Sequence, residues 1–205
     1  MNPFCNIINK IFSGSSTEIV DRSIEEMLLD YDFSKIDEPK VCGNLDSESV
    51  LLIVDDIEMS EVLYDSDFNM IRINSKKDGN EIDITKKYKI VQCLGNECSL
   101  KAYKYIHLDK NPINKAILDI TLGESYKLPN SGYVEINGID LANFIWINNP
   151  NSDVRLLTAH TMDENNKTIN NFINQFKEYT NKDIMDFVIN KNNSNRTERL
   201  HEFLR

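Results

Sequence analysis

Short runs of apolar residues alternate with amphipathic segments from residue 50 onward. Five runs are rich in Val, Ile and Leu, have the length of a strand, and predict buried β-strands at 50–54, 88–94, 116–120, 154–158 and 186–190. Helical periodicity predicts helices near 57–66, 98–108, 139–147, 164–179 and 196–204. This alternation predicts a doubly wound α/β fold, with a five-stranded parallel sheet that helices cover on both faces.

Three stretches do not follow this alternation. Residues 67–87 and 123–136 combine strand-like pieces with turn-forming residues, and we interpret both as insertions that form small hairpins. Residues 1–47 are interpreted as a partly helical N-terminal extension, in which Ser23 and Glu26 have the spacing of a capping box. The main domain then comprises residues 48–205. The sequence leaves open whether the extension packs on this domain or docks on a partner.

The composition limits the partners that the chain could bind. Its 33 acidic and 23 basic residues give a formal net charge of -10, which disfavours binding to nucleic acid through a broad basic face. No apolar run has the length of a membrane span, and the N-terminus lacks the features of a signal peptide. The four cysteines are too few for a secreted disulfide framework. We therefore expect a cytoplasmic protein with reduced thiols and no membrane partner.

Polar residues follow the predicted strands at the ends where an open α/β sheet places its site. They are Asp55 and Asp56 after the first strand, Asp119 in the third, Thr158 at the end of the fourth, and Lys191 after the fifth. Three carboxylates this close repel one another unless a hard cation and an ammonium lie among them. Because Mg²⁺ prefers oxygen ligands, the sequence predicts a magnesium site at this edge.

These residues, in this order, resemble the receiver domain of two-component response regulators. Residues 51–56 (Leu-Leu-Ile-Val-Asp-Asp) look like the first strand and acidic pair of the family, and residues 116–119 (Ala-Ile-Leu-Asp) like its phosphoacceptor strand. Residues 137–141 (Asn-Gly-Ile-Asp-Leu) are similar to the opening of its third helix, and residues 153–159 to its fourth strand. The resemblance covers about residues 48–205 and implies a flavodoxin-like receiver fold with two insertions.

The resemblance also implies what each residue does. Asp119 would accept a phosphoryl group from a histidine kinase or a phosphotransfer protein, while Thr158 and Lys191 would each contact a phosphoryl oxygen. The implied Mg²⁺ ligands are Asp55, Asp56, Asp119 and the backbone carbonyl of Thr121. The chain would then be a stand-alone response regulator in a phosphorelay, a phosphoprotein and not an enzyme. With no effector domain after the last helix, its output would be contact with an unknown protein.

The sequence departs from the family pattern around Lys191 and after Asp119. Asn192 stands where the family usually has proline, so a trans peptide bond is expected there. The aromatic residue usual on the fifth strand would fall near Phe187 or Val188. The insertion that begins within four residues of Asp119 could act as a lid, restrict phosphodonors or carry the output.

Two other functions fit parts of the pattern. The departures near Lys191 and the two insertions favour a pseudo-receiver, a protein-interaction module that keeps the fold but is not controlled by phosphorylation. A magnesium-dependent phosphohydrolase of the haloacid dehalogenase type also uses an Asp nucleophile, a Thr, a Lys and an acidic pair. In that family the acidic pair comes last, whereas Asp55 and Asp56 come first here, so the chain order argues against this activity.

Overall fold

The computed structural model describes residues 23–29, 31–57, 72–74, 81–123, 125–128, 132–160 and 167–205. These residues form a mixed α/β fold with one large sheet and two separate strand pairs. The strands, in chain order, are β1 (Lys40–Gly43), β2 (Val50–Asp55), β3 (Arg72–Asn74), β4 (Glu81–Asp83), β5 (Lys89–Leu94), β6 (Lys115–Asp119), β7 (Ser125–Leu128), β8 (Gly132–Glu135), β9 (Asp153–Thr158) and β10 (Val188–Asn190).

The large sheet contains six strands in the order β1, β5, β2, β6, β9, β10. The last five run parallel to one another and correspond to the five predicted strands. Counted in chain order, they are arranged 2-1-3-4-5, the strand order of flavodoxin-like folds. The prediction of a five-stranded sheet is one strand short, because β1 pairs antiparallel with the outer edge of β5. β1 is mostly exposed and so carries no buried apolar run that would mark it as a strand.

Both faces of the sheet are covered, which explains why its central strands are apolar at successive positions. On β2, Leu52 and Val54 belong to the larger cluster of buried side chains, while Leu51 and Ile53 belong to a second cluster. Successive side chains of a strand point to opposite faces, so the two clusters lie on opposite sides of the sheet. The layered arrangement predicted from the sequence is therefore present.

Six α-helices and two short 3-10 helices, Phe33–Lys35 and Ile184–Asp186, accompany the sheet in the described part of the chain. The α-helices are α1 (Ile24–Leu28), α2 (Ile84–Lys87), α3 (Cys98–Tyr103), α4 (Gly138–Asn148), α5 (Lys167–Thr180) and α6 (Arg196–Leu204), and a π-helical turn, Lys104–Leu108, continues α3. The last four correspond to predicted helices, whereas the helix predicted near 57–66 falls almost wholly outside the described residues. The predicted capping box of Ser23 and Glu26 is present at the start of α1. No helix among these residues is long and apolar enough to cross a bilayer.

The stretches interpreted as insertions contain the two separate strand pairs. β3 pairs with β4, and β7 pairs with β8, both antiparallel. On the second pair, the inward side chains Tyr126, Leu128 and Val134 are buried in the larger core cluster. The Tyr126 hydroxyl also hydrogen-bonds the Ser99 hydroxyl on α3 over 2.7 Å. The described strands of the segment after Asp119 are therefore packed into the core rather than held away from it.

A buried carboxylate joins α4 to α5. Asp140, on the first turn of α4, accepts hydrogen bonds from the Asn137 backbone N–H (3.0 Å), the Gln175 amide (2.6 Å) and the Tyr179 hydroxyl (3.0 Å). Burial raises the pKa of Asp140 to about 7, although these hydrogen bonds favour the charged form. The carboxyl group therefore carries a proton in the folded chain over a pH range in which it is ionised when unfolded.

The pKa of Asp140 predicts how stability depends on pH. Because the folded state binds this proton more tightly, the stabilisation is fullest below the ordinary pKa of 3.8 and is lost as the pH rises to about 7. We expect the free energy of unfolding of the wild type to fall over this range relative to that of Asp140→Asn, as measured by urea denaturation. The exposed Asp46→Asn is the control. Equal pH dependence in wild type and Asp140→Asn would contradict the assignment.

Candidate functional site

Three carboxylates meet where two neighbouring strands end. The register of β2 and β6 pairs Val54 with Leu118, so the next residues on each strand, Asp55 and Asp119, lie side by side. Asp56 follows directly. One side-chain oxygen from each of these three residues lies within 4.8 Å of the others. The structure thus brings together the acidic residues that the sequence placed at this edge.

The ammonium group of Lys191 lies between two of these carboxylates. Its Nζ donates to Asp119 Oδ2 over 2.8 Å and to Asp55 Oδ2 over 3.1 Å. The Lys191 side chain is only 14% exposed, and that of Asp55 is 2% exposed, so the ion pairs are largely shielded from solvent. Lys191 reaches this position from the turn after β10, where its backbone N–H donates to the carbonyl of Thr158.

Burial and mutual charge set the ionisation of the site. Burial raises the pKa of Asp119, although the hydrogen bond from Lys191 opposes the shift. Burial and the neighbouring charge of Asp55 raise the pKa of Asp56. Burial alone would lower the pKa of Lys191, but its hydrogen bond with Asp119 and the charge of Asp55 outweigh it and raise the pKa. With one ammonium for three carboxylates, the site favours a further positive charge.

The donor set fits a hard divalent cation. Every ligand atom in the cluster is a carboxylate oxygen, the type that Mg²⁺ prefers. Gly123 leaves room beside Asp56: a Cβ at this position would lie 2.9 Å from Asp56 Oδ2, and the φ of +52° also favours glycine. Thr121 is exposed two residues after Asp119, and its role as a carbonyl ligand stays a prediction.

Thr158 is buried at the end of β9, and its carbonyl accepts the Lys191 N–H over 2.7 Å. Its Oγ1 accepts the backbone N–H of His160 over 3.0 Å and so stabilises the turn that leaves the strand. The structure thus joins Thr158 to Lys191 through the backbone. Contact between the Thr158 hydroxyl and a phosphoryl oxygen stays a prediction.

Glycines lie at both ends of the segment that follows Asp119. Gly138 opens α4, and a Cβ there would lie 2.1 Å from the carbonyl oxygen of Asp119. Its N–H also donates to the carbonyl of Ile120 over 3.2 Å. The start of α4 therefore rests directly on the backbone of β6. The packing roles of Gly123 and Gly138 were not predicted from the sequence, although a glycine at each end of the segment that follows a strand-end Asp was a visible signal.

The contact at Gly138 predicts a large effect of a single methyl group. In Gly138→Ala the new Cβ would overlap the Asp119 carbonyl, so backbone must move, and we expect the free energy of unfolding to fall by at least about 2 kcal/mol. Gly132→Ala is the comparison for backbone strain without a clash: its φ of +91° is unfavourable for alanine, but no atom lies within 4 Å of the added Cβ. A loss below about 1 kcal/mol in Gly138→Ala, measured by urea denaturation, would argue against close packing at Gly138.

The fold and the site together describe a doubly wound α/β protein with an acidic site at the carboxyl ends of its central strands. No protein-family model matches the chain, and no curated protein matches it. Among solved structures, it is similar to a response regulator from Thermotoga maritima (17% identity, TM-score 0.38), over 76% of this chain and 97% of that one. It is also similar to the BeF3-activated DrrB receiver domain (18% identity, TM-score 0.37), over 76% and 97%. Because these TM-scores are low, we base the fold on strand order and register.

The position of Lys191 predicts how the site responds to a metal. Its ammonium repels a cation from the carboxylates that it contacts, so Lys191→Met should tighten Mg²⁺ binding by about tenfold or more. Asp119→Asn should weaken binding, because it removes a charged ligand. Isothermal titration calorimetry measures both. Lys115→Met, at the opposite end of β6, is the control and should leave the affinity unchanged. Weaker binding by Lys191→Met would contradict this placement of the ammonium.

Proposed function

We propose that this chain is a receiver domain of a two-component system, in which Asp119 accepts a phosphoryl group from a histidine kinase or a phosphotransfer protein. The supporting observation is the site itself: three carboxylates within 4.8 Å, two of them paired with Lys191, at the end of parallel strands ordered 2-1-3-4-5. This crevice is where flavodoxin-like sheets bind ligands, next to the switch in strand order.

The reaction needs few protein groups. A carboxylate oxygen of Asp119 attacks phosphorus while the P–N bond of the donor phosphohistidine breaks. The imidazole keeps the bonding electron pair and takes up a proton, and Asp119 becomes an acyl phosphate. Because Lys191 holds Oδ2 of Asp119, Oδ1 is the favoured nucleophile. The Lys191 ammonium then offsets charge on the phosphoryl oxygens, and the Thr158 hydroxyl donates to one of them.

Mg²⁺ is the proposed cofactor. Asp55, Asp56 and Asp119 would hold it together with the backbone carbonyl of Thr121. When bound, the ion offsets negative charge on the transferring group and on the carboxylates around it. The oxygen-only donor set and the excess of carboxylates over ammonium groups support this choice.

The proposed output is a change in the protein surface near Thr158, read by another protein. An acyl phosphate adds charge beside Lys191, and Lys191 is hydrogen-bonded through its backbone to Thr158. A shift of the Lys191 backbone on phosphorylation would therefore be passed to the loop after β9. The output partner stays unassigned, and we propose no direct contact with nucleic acid or membrane.

One observation favours the second candidate, a pseudo-receiver. Lys191 offsets charge on Asp55 and Asp119, and the Thr158 hydroxyl accepts a hydrogen bond within its own turn. These groups therefore have partners inside the fold, as in a protein-interaction module that needs no phosphorylation.

Acetyl phosphate provides the test. We expect the intact mass of the wild-type chain to rise by one phosphoryl group on incubation with acetyl phosphate and Mg²⁺, because Asp119 is a charge-compensated nucleophile. The adduct should be labile in alkali, as acyl phosphates are. Asp119→Asn and a chelator control should give no adduct.

Three other outcomes would contradict this proposal. If the wild type gains no adduct, and beryllofluoride also leaves its melting temperature unchanged, the pseudo-receiver is favoured and the proposal is wrong. If the chain instead hydrolyses phosphate esters with steady turnover, it is an enzyme of the phosphohydrolase type. An adduct that persists in Asp119→Asn would place the nucleophile elsewhere.

A further inference from the structure

Two asparagines tie the turn that carries Lys191 to the loop after β9. Asn190 Nδ2 donates to the carbonyl of His160 over 2.9 Å, and Asn192 Nδ2 donates to the carbonyl of Ala159 over 2.9 Å. The side chain of Asn190 also accepts the backbone N–H of Asn192 over 2.8 Å. These bonds cross from β10 to the end of β9 on both sides of Lys191. We call Asn190 and Asn192 the asparagine clamp.

The backbone of Lys191 itself is held at both of its polar groups. Its N–H donates to the Thr158 carbonyl over 2.7 Å, and its carbonyl accepts a hydrogen bond from Arg196 over 2.6 Å. No cis peptide bond occurs among the described residues, so the turn keeps its shape with ordinary trans peptides. The side-chain amides of Asn190 and Asn192 add hydrogen bonds from this turn to the loop after β9.

Fixing the backbone matters because a lysine side chain is long and flexible. Its four-carbon stem loses considerable rotamer entropy when the ammonium is held in one place. The ammonium must reach past the end of β9 to contact Asp119 on β6 and Asp55 on β2. A backbone that shifted by about 1 Å would lose one or both of these contacts, whose donor–acceptor distances already lie in the normal hydrogen-bond range.

We propose that Asn190 and Asn192 are positioning residues for Lys191, which place its ammonium against Asp119 during phosphoryl transfer. The effect on phosphoryl transfer rests on the proposed function. The clamp itself rests only on the hydrogen bonds of Asn190 and Asn192. Among the described residues, the side chains of Asn190 and Asn192 hydrogen-bond backbone groups and not the carboxylate cluster, so both act through Lys191.

A double-mutant cycle separates positioning from general stability. We expect Asn192→Ala to slow phosphorylation of Asp119 by acetyl phosphate about fivefold, the effect of one lost hydrogen bond. In a Lys191→Met background, the same substitution should change the rate by less than about twofold, because the group that the clamp positions is gone. Equal effects in both backgrounds would overturn the proposal, since a merely structural role is independent of the side chain at 191.

Asn195→Ala is the matched control. Asn195 is an exposed asparagine at the start of α6, three residues after Asn192, and its side chain makes no capping hydrogen bond to the helix. It should leave the rate unchanged in both backgrounds. If Asn195→Ala slows phosphorylation as much as Asn192→Ala, the effect belongs to the turn in general and the clamp is wrong.

The same four proteins of the cycle separate this inference from the proposed function. If the wild type takes no phosphoryl group, the proposed function fails, and the clamp is then judged on urea denaturation midpoints. A clamp that aligns Lys191 with its carboxylates predicts a larger fall in midpoint for Asn192→Ala when Lys191 is present than when Met replaces it. An equal fall in both backgrounds would overturn the clamp independently of any phosphorylation.

Discussion

The bridge from Lys191 to Asp55 and Asp119 is the interaction on which this site depends. Parallel strands that end side by side bring their terminal carboxylates together, and burial makes that charge costly. The compensating ammonium comes from the turn after β10, two strands away from β6. The turn after β10 must therefore be held in place, and the hydrogen bonds around Lys191 fix it to the loop after β9.

The segment after Asp119 leaves this arrangement intact despite its length. It departs past Gly123 and returns at Gly138, where the absence of side chains allows close approach to Asp56 and to the Asp119 backbone. Its inner face contributes Tyr126 to the larger core cluster. An additional strand pair is thus accommodated next to the site, because a glycine lies at each end of the segment and its apolar side chains pack in the core.

The apolar runs were sufficient to predict the parallel strands, since burial on both faces leaves a strong local signal. The strand-end positions of Asp55 and Asp119 followed from the same pattern, because topology alone brings such residues to one edge. Contacts that depend on distant segments left no such signal. Asp140 looked like an ordinary residue in the first turn of a helix, and its burial depends on Gln175, 35 positions away. The hydrogen bond from Asn192 to a neighbouring loop likewise exists only once the sheet has formed.

The antiparallel strand β1 has a consequence for handling this protein in pieces. It covers the outer edge of β5, whose backbone N–H and C=O groups would otherwise face solvent and offer a template for another chain. β1 itself is poorly suited to recruit a neighbour: it has four residues, begins with Lys40 directly after Pro39, and ends at Gly43 with a φ of +77°. A fragment that begins at β2 would lack β1, and the outer edge of the apolar strand β5 would then be exposed. Self-association and poor solubility of such a fragment would then reflect the missing strand, not a property of the intact chain.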